Sequence, residues 1–316
     1  MIKEAMKTFE FVSPGHPDKM CDQIADSILD AYLEQDPESR VAVEVMGGHG
    51  KIKITGEITS KGDVDMSSIA RSVSGEDYDV EIFVSKQSPE IARGVDTGGA
   101  GDQGIMVGYA CTETDSLMPK GYELARQLCK DIYNEYPHDG KVQVTLSKER
   151  ITDVVVSFQN AKGSDLEELI REKIKADRYH INPAGDWTIG GFEADSGLSG
   201  RKIVIDNYGP YVGLGGGSFS GKDPTKVDRS GAYMARRIAV DRLRESGAKE
   251  VTVHLGYVIG EREPVMAVVT VDGVSSDITD YDLTPGGIIK SLNLKEPIYG
   301  DTATWGHFGR GFKWDK

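Results

Sequence analysis

The strongest constraint on the fold is a recurring pattern of short β-branched strand pairs, each accompanied by an amphipathic helical stretch. Arg40 to Val45 and Lys51 to Ile58 are partly alternating runs parted by Gly47-Gly48-His49-Gly50, which predicts a hairpin. The same two-strand signal returns at 142–147 with 151–158, and at 251–259 with 265–271. Val80 to Val84 and Ile203 to Asp206 read as further strands. Helical spacing appears at 21–34, where Ile24, Ile28 and Leu29 share one stripe, and again at 121–134, 164–176 and 225–245. Strand pairs with helices between or after them predict sheets covered by helices, α+β or mixed α/β. A chain of 316 residues has material for two or three compact units.

Charge and cysteine usage narrow the function classes. The net charge is −14 with no long basic run, so the footprint that nucleic-acid binding needs is missing, and nucleic acid is not an expected partner. Cys21, Cys111 and Cys129 are odd in number and form no C-x-x-C pair, which predicts buried free thiols in place of a disulfide or zinc framework. Residues 1–10 lack the apolar core of a signal peptide, and no 18-residue apolar run occurs, so no membrane span is expected. The composition reads as that of a soluble cytoplasmic protein.

Residues 215–230, Gly-Gly-Gly-Ser-Phe-Ser-Gly-Lys-Asp-Pro-Thr-Lys-Val-Asp-Arg-Ser, carry the sharpest chemical signal. Glycines let a backbone approach a ligand closely and offer N–H groups to anionic oxygens. Lys222 and Lys226 add positive charge. Asp223-Pro224 reads as an N-cap followed by the first helical residue, so a helix from Thr225 to about Glu245 would aim its positive end at the same place. This predicts a polyphosphate site. An ordinary P-loop is the competing reading: Gly216 to Lys222 fits G-x-x-x-x-G-K, but Asp223 stands where a Ser or Thr hydroxyl should be, and the preceding residues are turn-rich. A plain surface loop with a helix cap explains the glycines but not both lysines.

Five further clusters are rich in chemistry. Ser13-Pro-Gly-His-Pro-Asp-Lys19 presents a base, a carboxylate and an ammonium at a helix entrance; taken singly, His16 could be structural and Asp18 an ordinary first-turn carboxylate. Glu44 and Glu57 lie on strands, where a half-buried carboxylate needs a cationic partner and an exposed one needs none. Lys86-Gln-Ser-Pro89 with Gly94 to Gly104 reads as a lid between hinges, or as a merely flexible loop. Asp139-Gly-Lys141 and Asp195-Ser-Gly-Leu-Ser-Gly-Arg-Lys202 again set cations after glycine and a carboxylate. Lys19, Lys141, Arg201, Lys202 and Lys222 thus gather near loops of an acidic chain, as a small anionic ligand with Mg²⁺ would require.

In this order the clusters resemble those of S-adenosylmethionine synthetases. The matching blocks are Gly15-His-Pro-Asp-Lys19, Gly56-Glu-Ile-Thr59, Lys86-Gln-Ser-Pro89, Gly98-Gly-Ala-Gly-Asp-Gln-Gly104, Gly197-Leu-Ser-Gly-Arg-Lys202, Gly215 to Pro224 with Lys226 to Ser230, and Gly306-His-Phe-Gly-Arg310. They run from about Phe9 to Trp314. The resemblance implies an α+β fold of three similar sheet-plus-helix units around a pseudo-threefold axis, built from discontinuous stretches: 1–14 with 113–190, 15–97 with 191–230, and 98–112 with 231–316. It implies synthesis of S-adenosylmethionine from ATP and L-methionine, followed by cleavage of tripolyphosphate to phosphate and diphosphate. Two Mg²⁺ and one K⁺ per site are implied, as are self-association and active sites between two subunits.

By matched position, the resemblance assigns His16, Lys141, Arg201, Lys202 and Lys222 to the polyphosphate. Asp18 and Asp228 are assigned to Mg²⁺, and Glu44 to K⁺. Glu57, Gln87, Asp195 and Lys226 are assigned to methionine. Asp139, with Glu10 nearby, falls to the ribose, and Trp187 to adenine, where the family usually has phenylalanine. The chain is shorter than most members, notably between Asp65 and Lys86, after Asp96 and at the C-terminus. The sequence leaves two other classes open: a P-loop ATPase or kinase, and a non-catalytic binding module.

Overall fold

The computed structural model describes residues 6–86 and 98–316. In chain order its strands are β1 (Met6–Val12), β2 (Arg40–Gly48), β3 (Lys51–Thr59), β4 (Asp79–Ser85), β5 (Gly104–Cys111), β6 (Gly140–Ser147), β7 (Arg150–Phe158), β8 (Arg178–Ile181), β9 (Gly197–Leu198), β10 (Glu250–Tyr257), β11 (Met266–Val271) and β12 (Val274–Asp277). The helices are α1 (Pro17–Gln35), α2 (Met66–Ser74), α3 (Lys120–Glu135), α4 (Gly163–Lys173), α5 (Gly191–Ala194), α6 (Ile203–Asp206), α7 (Val227–Ser246), α8 (Pro285–Leu292) and α9 (Tyr299–Trp305).

They form three four-stranded sheets, ordered β1-β6-β7-β8, β9-β2-β3-β4 and β5-β10-β11-β12, an α+β architecture. The three share one plan. A long helix (α3, α1 or α7) leads into a hairpin (β6-β7, β2-β3 or β10-β11), and the first hairpin strand also pairs antiparallel with a strand from a distant segment (β1, β9 or β5). In two sheets a helix (α4 or α2) then delivers a parallel outer strand, β8 or β4. In the third the chain turns straight back through Asp272 and Gly273, both at positive φ, so β12 is antiparallel. The β2-β3 turn likewise sets His49 and Gly50 at positive φ, the geometry that suits the right-handed twist of a two-residue hairpin.

Alternation explains which faces are covered. Val41, Val43, Val45, Ile52 and Ile54 are buried, and their helix α1 contributes Ile24, Ile28 and Leu29 to the same core. Val142, Val144, Val154 and Val156 share that core with Ala125, Leu128 and Ile132 of α3. Burying each of the valine, leucine and isoleucine side chains among them stabilises the fold by about 1.5–3 kcal/mol. Cys21, Cys111 and Cys129 are buried free thiols, as their spacing predicts. Among the described residues no helix is long and apolar enough to cross a membrane.

Two local expectations are overturned. Ile203 to Asp206 is the short helix α6, not a strand: Asp206 N–H donates to Lys202 O at 2.8 Å, and the Asp206 carboxylate turns inward to Lys19. A run of three β-branched residues is too short to outweigh those contacts. Helix α7 begins at Val227 with Lys226 in the cap position, not at Asp223-Pro224. The fully buried Asp223 carboxylate instead accepts from Val41 N–H (2.7 Å), Thr225 N–H (2.8 Å) and the Lys226 ammonium, tying the turn to β2.

Candidate active site

The entrance to α1 is built by close approach. Ser13 N–H donates to Gly140 O at 2.9 Å and its hydroxyl to His138 O at 2.8 Å, fastening the turn to the start of β6. A side chain at Gly15 would place Cβ 2.7 Å from Asp139 N, so only glycine fits. His16 then caps the helix, its Nδ1 accepting from Asp18 N–H at 3.1 Å. An accepting Nδ1 leaves the ring proton on Nε2. Burial, reinforced by Lys202 and Lys141, lowers the His16 pKa to about 3, so the ring is neutral at physiological pH.

Asp18 is buried in the first turn of α1. It accepts from Leu198 N–H at 2.9 Å, pairs with the Lys202 ammonium, and lies 3.3 Å from Arg201 Nε. Burial pushes its pKa up, but Lys202 and the Leu198 N–H outweigh that and hold it below the usual carboxylate range. Asp139 accepts from Gly191 N–H at 3.0 Å, and burial raises its pKa against the pull of Lys141. Exposed Asp195 acts electrostatically on both His16 and Asp139. Trp187 is half-buried beside them: a Cβ at Gly190 would meet its ring at 2.7 Å. Glu10 lies on β1 opposite Gln143, two positions from Val12, which faces Lys141. The structure therefore brings His16, Asp18, Lys141, Asp139, Trp187, Asp195, Arg201 and Lys202 into one neighbourhood.

A second group forms on the outer face of the β9-β2-β3-β4 sheet. Glu44 accepts from the Ser199 hydroxyl; burial raises its pKa, opposed by Ser199 and by Lys222. Lys222 Nζ is 2.6 Å from Asp228. Glu57 faces Ala42 and Ser85 in register and shares the half-buried face with Glu44. Lys226 holds Asp223, as described above. Leu198 and Ser199, which touch Asp18 and Glu44 in turn, join the two groups. Gln87 lies outside the described residues, as do positions 87–97 of the lid expected over 86–89 and 94–104.

The glycine-rich loop does not have P-loop geometry. No strand leads into it, residue 222 makes only an isolated bridge to Ala42, and Asp223 is sealed in the turn. Lys19, counted with the site cations from sequence, is instead fully buried, 2.5 Å from Asp206 and 3.1 Å from Asp22. Sequence reading gave no role to Ser199 and Arg229, which lie inside the matched blocks, and passed over Asp22 and Asp26. The fourfold spacing of Asp18, Asp22, Asp26 and Asp30 on a helical stretch was the available signal for the two aspartates.

Among the described residues no three His, Cys, Asp or Glu side chains gather as a ready metal cluster. Two cavities of about 650 and 660 Å³ are lined by other residues, including Lys7, Lys120 and Glu149 in one and Tyr109, Lys249 and Asp272 in the other. The candidate site gathers cations, carboxylates and one buried, neutral imidazole, a set suited to gripping a polyanion.

Comparison with known proteins covers the whole chain. Models of the S-adenosylmethionine synthetase N-terminal, central and C-terminal domains match residues 4–91, 97–187 and 189–316. The S-adenosylmethionine synthase of Nitratiruptor sp. is 41% identical, the match covering 100% of this chain and 96% of that protein. Those of Parvibaculum lavamentivorans (38%) and Prochlorococcus marinus (41%) match over 98% of this chain and 95% of their own lengths. The first alignment extends over 372 positions against 316 residues here, so that relative carries segments this chain lacks.

Proposed function

Because this chain belongs to the S-adenosylmethionine synthetase family, we propose that it joins ATP and L-methionine by attack of the methionine sulfur on C5′, then cleaves the displaced tripolyphosphate to phosphate and diphosphate. The observation that carries this reading is the convergence of Arg201, Lys202 and Lys141 on the neutral His16 and on Asp18. Sulfur attacks without losing a proton, so the first step needs no general base. Its barrier lies in the charge that develops on the leaving tripolyphosphate, which preorganised donors stabilise. His16, neutral and protonated on Nε2, donates to the oxygen that departs from C5′. Arg201, Lys202, Lys141 and Lys222 spread over the remaining phosphate oxygens.

Asp139 and Glu10 hold the ribose, and Trp187 stacks on adenine with a larger ring than phenylalanine. Glu57, Gln87 and Asp195 hold methionine, with Lys226 at its carboxylate. Asp18 and Asp228 are single carboxylates rather than parts of a cage. That donor set suits Mg²⁺, which keeps water and substrate phosphates as most of its ligands and is held by one or two carboxylates. Two Mg²⁺ would neutralise phosphate charge there, and Glu44, with Ser199, fits K⁺.

Self-association completes the site in this reading. Exposed Met46, Leu198 and Phe83 lie on the same sheet as Glu44 and Glu57, an apolar face suited to a second copy. We assign the working units to 1–14 with 113–190, 15–97 with 191–230, and 98–112 with 231–316, and the protein to the cytoplasm. The test is mass spectrometry of products from ATP, Mg²⁺ and K⁺ with and without methionine. S-adenosylmethionine, phosphate and diphosphate should appear only with methionine; ADP formed regardless of methionine would refute the reading.

A further inference from the structure

Helix α1 carries aspartates at four-residue intervals, so Asp18, Asp22, Asp26 and Asp30 stand about 6 Å apart along one side. Together they accept from the backbone of three chain segments, 198–200, 221 and 299–300. Asp18 holds Leu198 N–H (2.9 Å), Asp22 holds Gly200 N–H (2.8 Å), and Asp26 holds Gly221 N–H (2.8 Å). Asp30 holds the N–H groups of Tyr299 (2.9 Å) and Gly300 (2.7 Å). The second and third rungs lie immediately before Arg201-Lys202 and before Lys222.

Asp26 does more than accept one bond. Arg229 grips it with both Nη atoms, at 2.8 and 2.5 Å, and also donates to Lys222 O at 2.9 Å. The pair therefore holds the Gly221 N–H and the Lys222 C=O from opposite sides of the lysine. A Cβ at Gly221 would lie 2.0 Å from Val43 O, so the loop reaches this grip only as glycine. Asp22, Asp26 and Arg229 are all fully buried. Buried charges are costly to desolvate and their best-attested use is to set register.

We propose that Asp22 and Asp26 are positioning residues that hold the two cationic loops, Gly200–Lys202 and Gly221–Lys222, at a set spacing along α1. The proposal rests on the reading of Arg201, Lys202 and Lys222 as tripolyphosphate ligands. A helix is a stiff ruler, and a misplacement of about 1 Å in a reacting group costs on the order of 10²-fold in rate.

The test combines hydrogen exchange with turnover. Asp22→Ala removes the acceptor, whereas Asp22→Asn keeps an oxygen for Gly200. Asp26→Ala is made together with Arg229→Met, because alone it would strand a buried cation. Asp30→Asn is the control. Exchange should rise at least about tenfold at 199–202 in Asp22→Ala and at 219–223 in the Asp26 double variant, and not elsewhere. The kcat of each should fall about 10²-fold with the methionine KM little changed. Asp22→Asn should restore most of both, and Asp30→Asn should keep wild-type kcat. Uniform exchange throughout the chain, or local opening with kcat intact, overturns the proposal. If the wild type makes no S-adenosylmethionine, the functional reading fails instead, and the exchange pattern alone decides whether the rungs hold the loops.

Discussion

Replacing His16 by Asn removes a titrating ring while keeping a side-chain acceptor for Asp18 N–H, since Asn is as good an N-cap as any residue. In the native protein burial, Lys202 and Lys141 lower the His16 pKa to about 3, against 6.5 for an unhindered ring. The folded pKa thus lies below the unfolded one. Above pH 6.5 neither state takes the proton; as pH falls below 6.5 the unfolded chain takes it and the native state does not. Stability present above pH 6.5 is therefore lost on acidification, down to about pH 3. Between pH 7.5 and 5.5 the loss through His16 is about 1.4 kcal/mol.

Other groups titrate in the same window. Buried His307 works in the same direction, whereas burial raises Asp30 to about 6 and Asp206 to about 7, so those two carboxyls favour the native state as pH falls. All three are common to wild type and variant and cancel in the difference. Urea unfolding of both proteins, at one protein concentration and at pH 7.5 and 5.5, isolates His16. Wild type should lose about 1.4 kcal/mol relative to His16→Asn over that interval. An identical stability difference at the two pH values would refute both the neutral ring and the accepting Nδ1.

Lys222→Met should lower the rate of S-adenosylmethionine formation about 10²–10³-fold. Its pair with Asp228 is partly open to solvent, so the unfolding free energy should move by no more than about 1 kcal/mol; near-normal turnover would remove Lys222 from the mechanism. K⁺ should stimulate wild type, and Glu44→Gln should blunt that response; superimposable K⁺ titrations would count against the Glu44 assignment. Gly108→Ala would put a Cβ 2.1 Å from the Ala235 backbone and force α7 off β5. It should cost about 1–3 kcal/mol in urea unfolding, and an unmoved midpoint would show that the helix gives way freely.

Local pattern located most elements because strand alternation and helical spacing are properties of neighbours in sequence. The β2-β3 hairpin needed only Gly47 to Gly50 and the runs beside it. Where a distant partner competed, local pattern failed. Ile203 to Asp206 has strand composition, yet Lys19 draws Asp206 inward; Asp223-Pro224 has the form of a helix start, yet Val41 and Lys226 claim the carboxylate. In the site, the residue types of His16, Asp18, Arg201, Lys202 and Lys222 led to the expectation of polyanion chemistry before any geometry. Lys19 looked the same in sequence and proved to be structural, because burial is decided by what packs over a side chain.

Sequence by itself determined the periodicities, the glycines where backbone must approach closely, and the acidic net charge with several cations set beside glycine-rich stretches; these are short-range or compositional properties. Tertiary structure alone decided that β1 pairs with β6 across more than a hundred residues, that β9 brings Asp18 within reach of Lys202, and that four aspartates of one helix hold three distant segments. A hydrogen-bonding group in the sequence carries no label for its partner. The partner is set by which surfaces the packed sheets and helices leave facing each other.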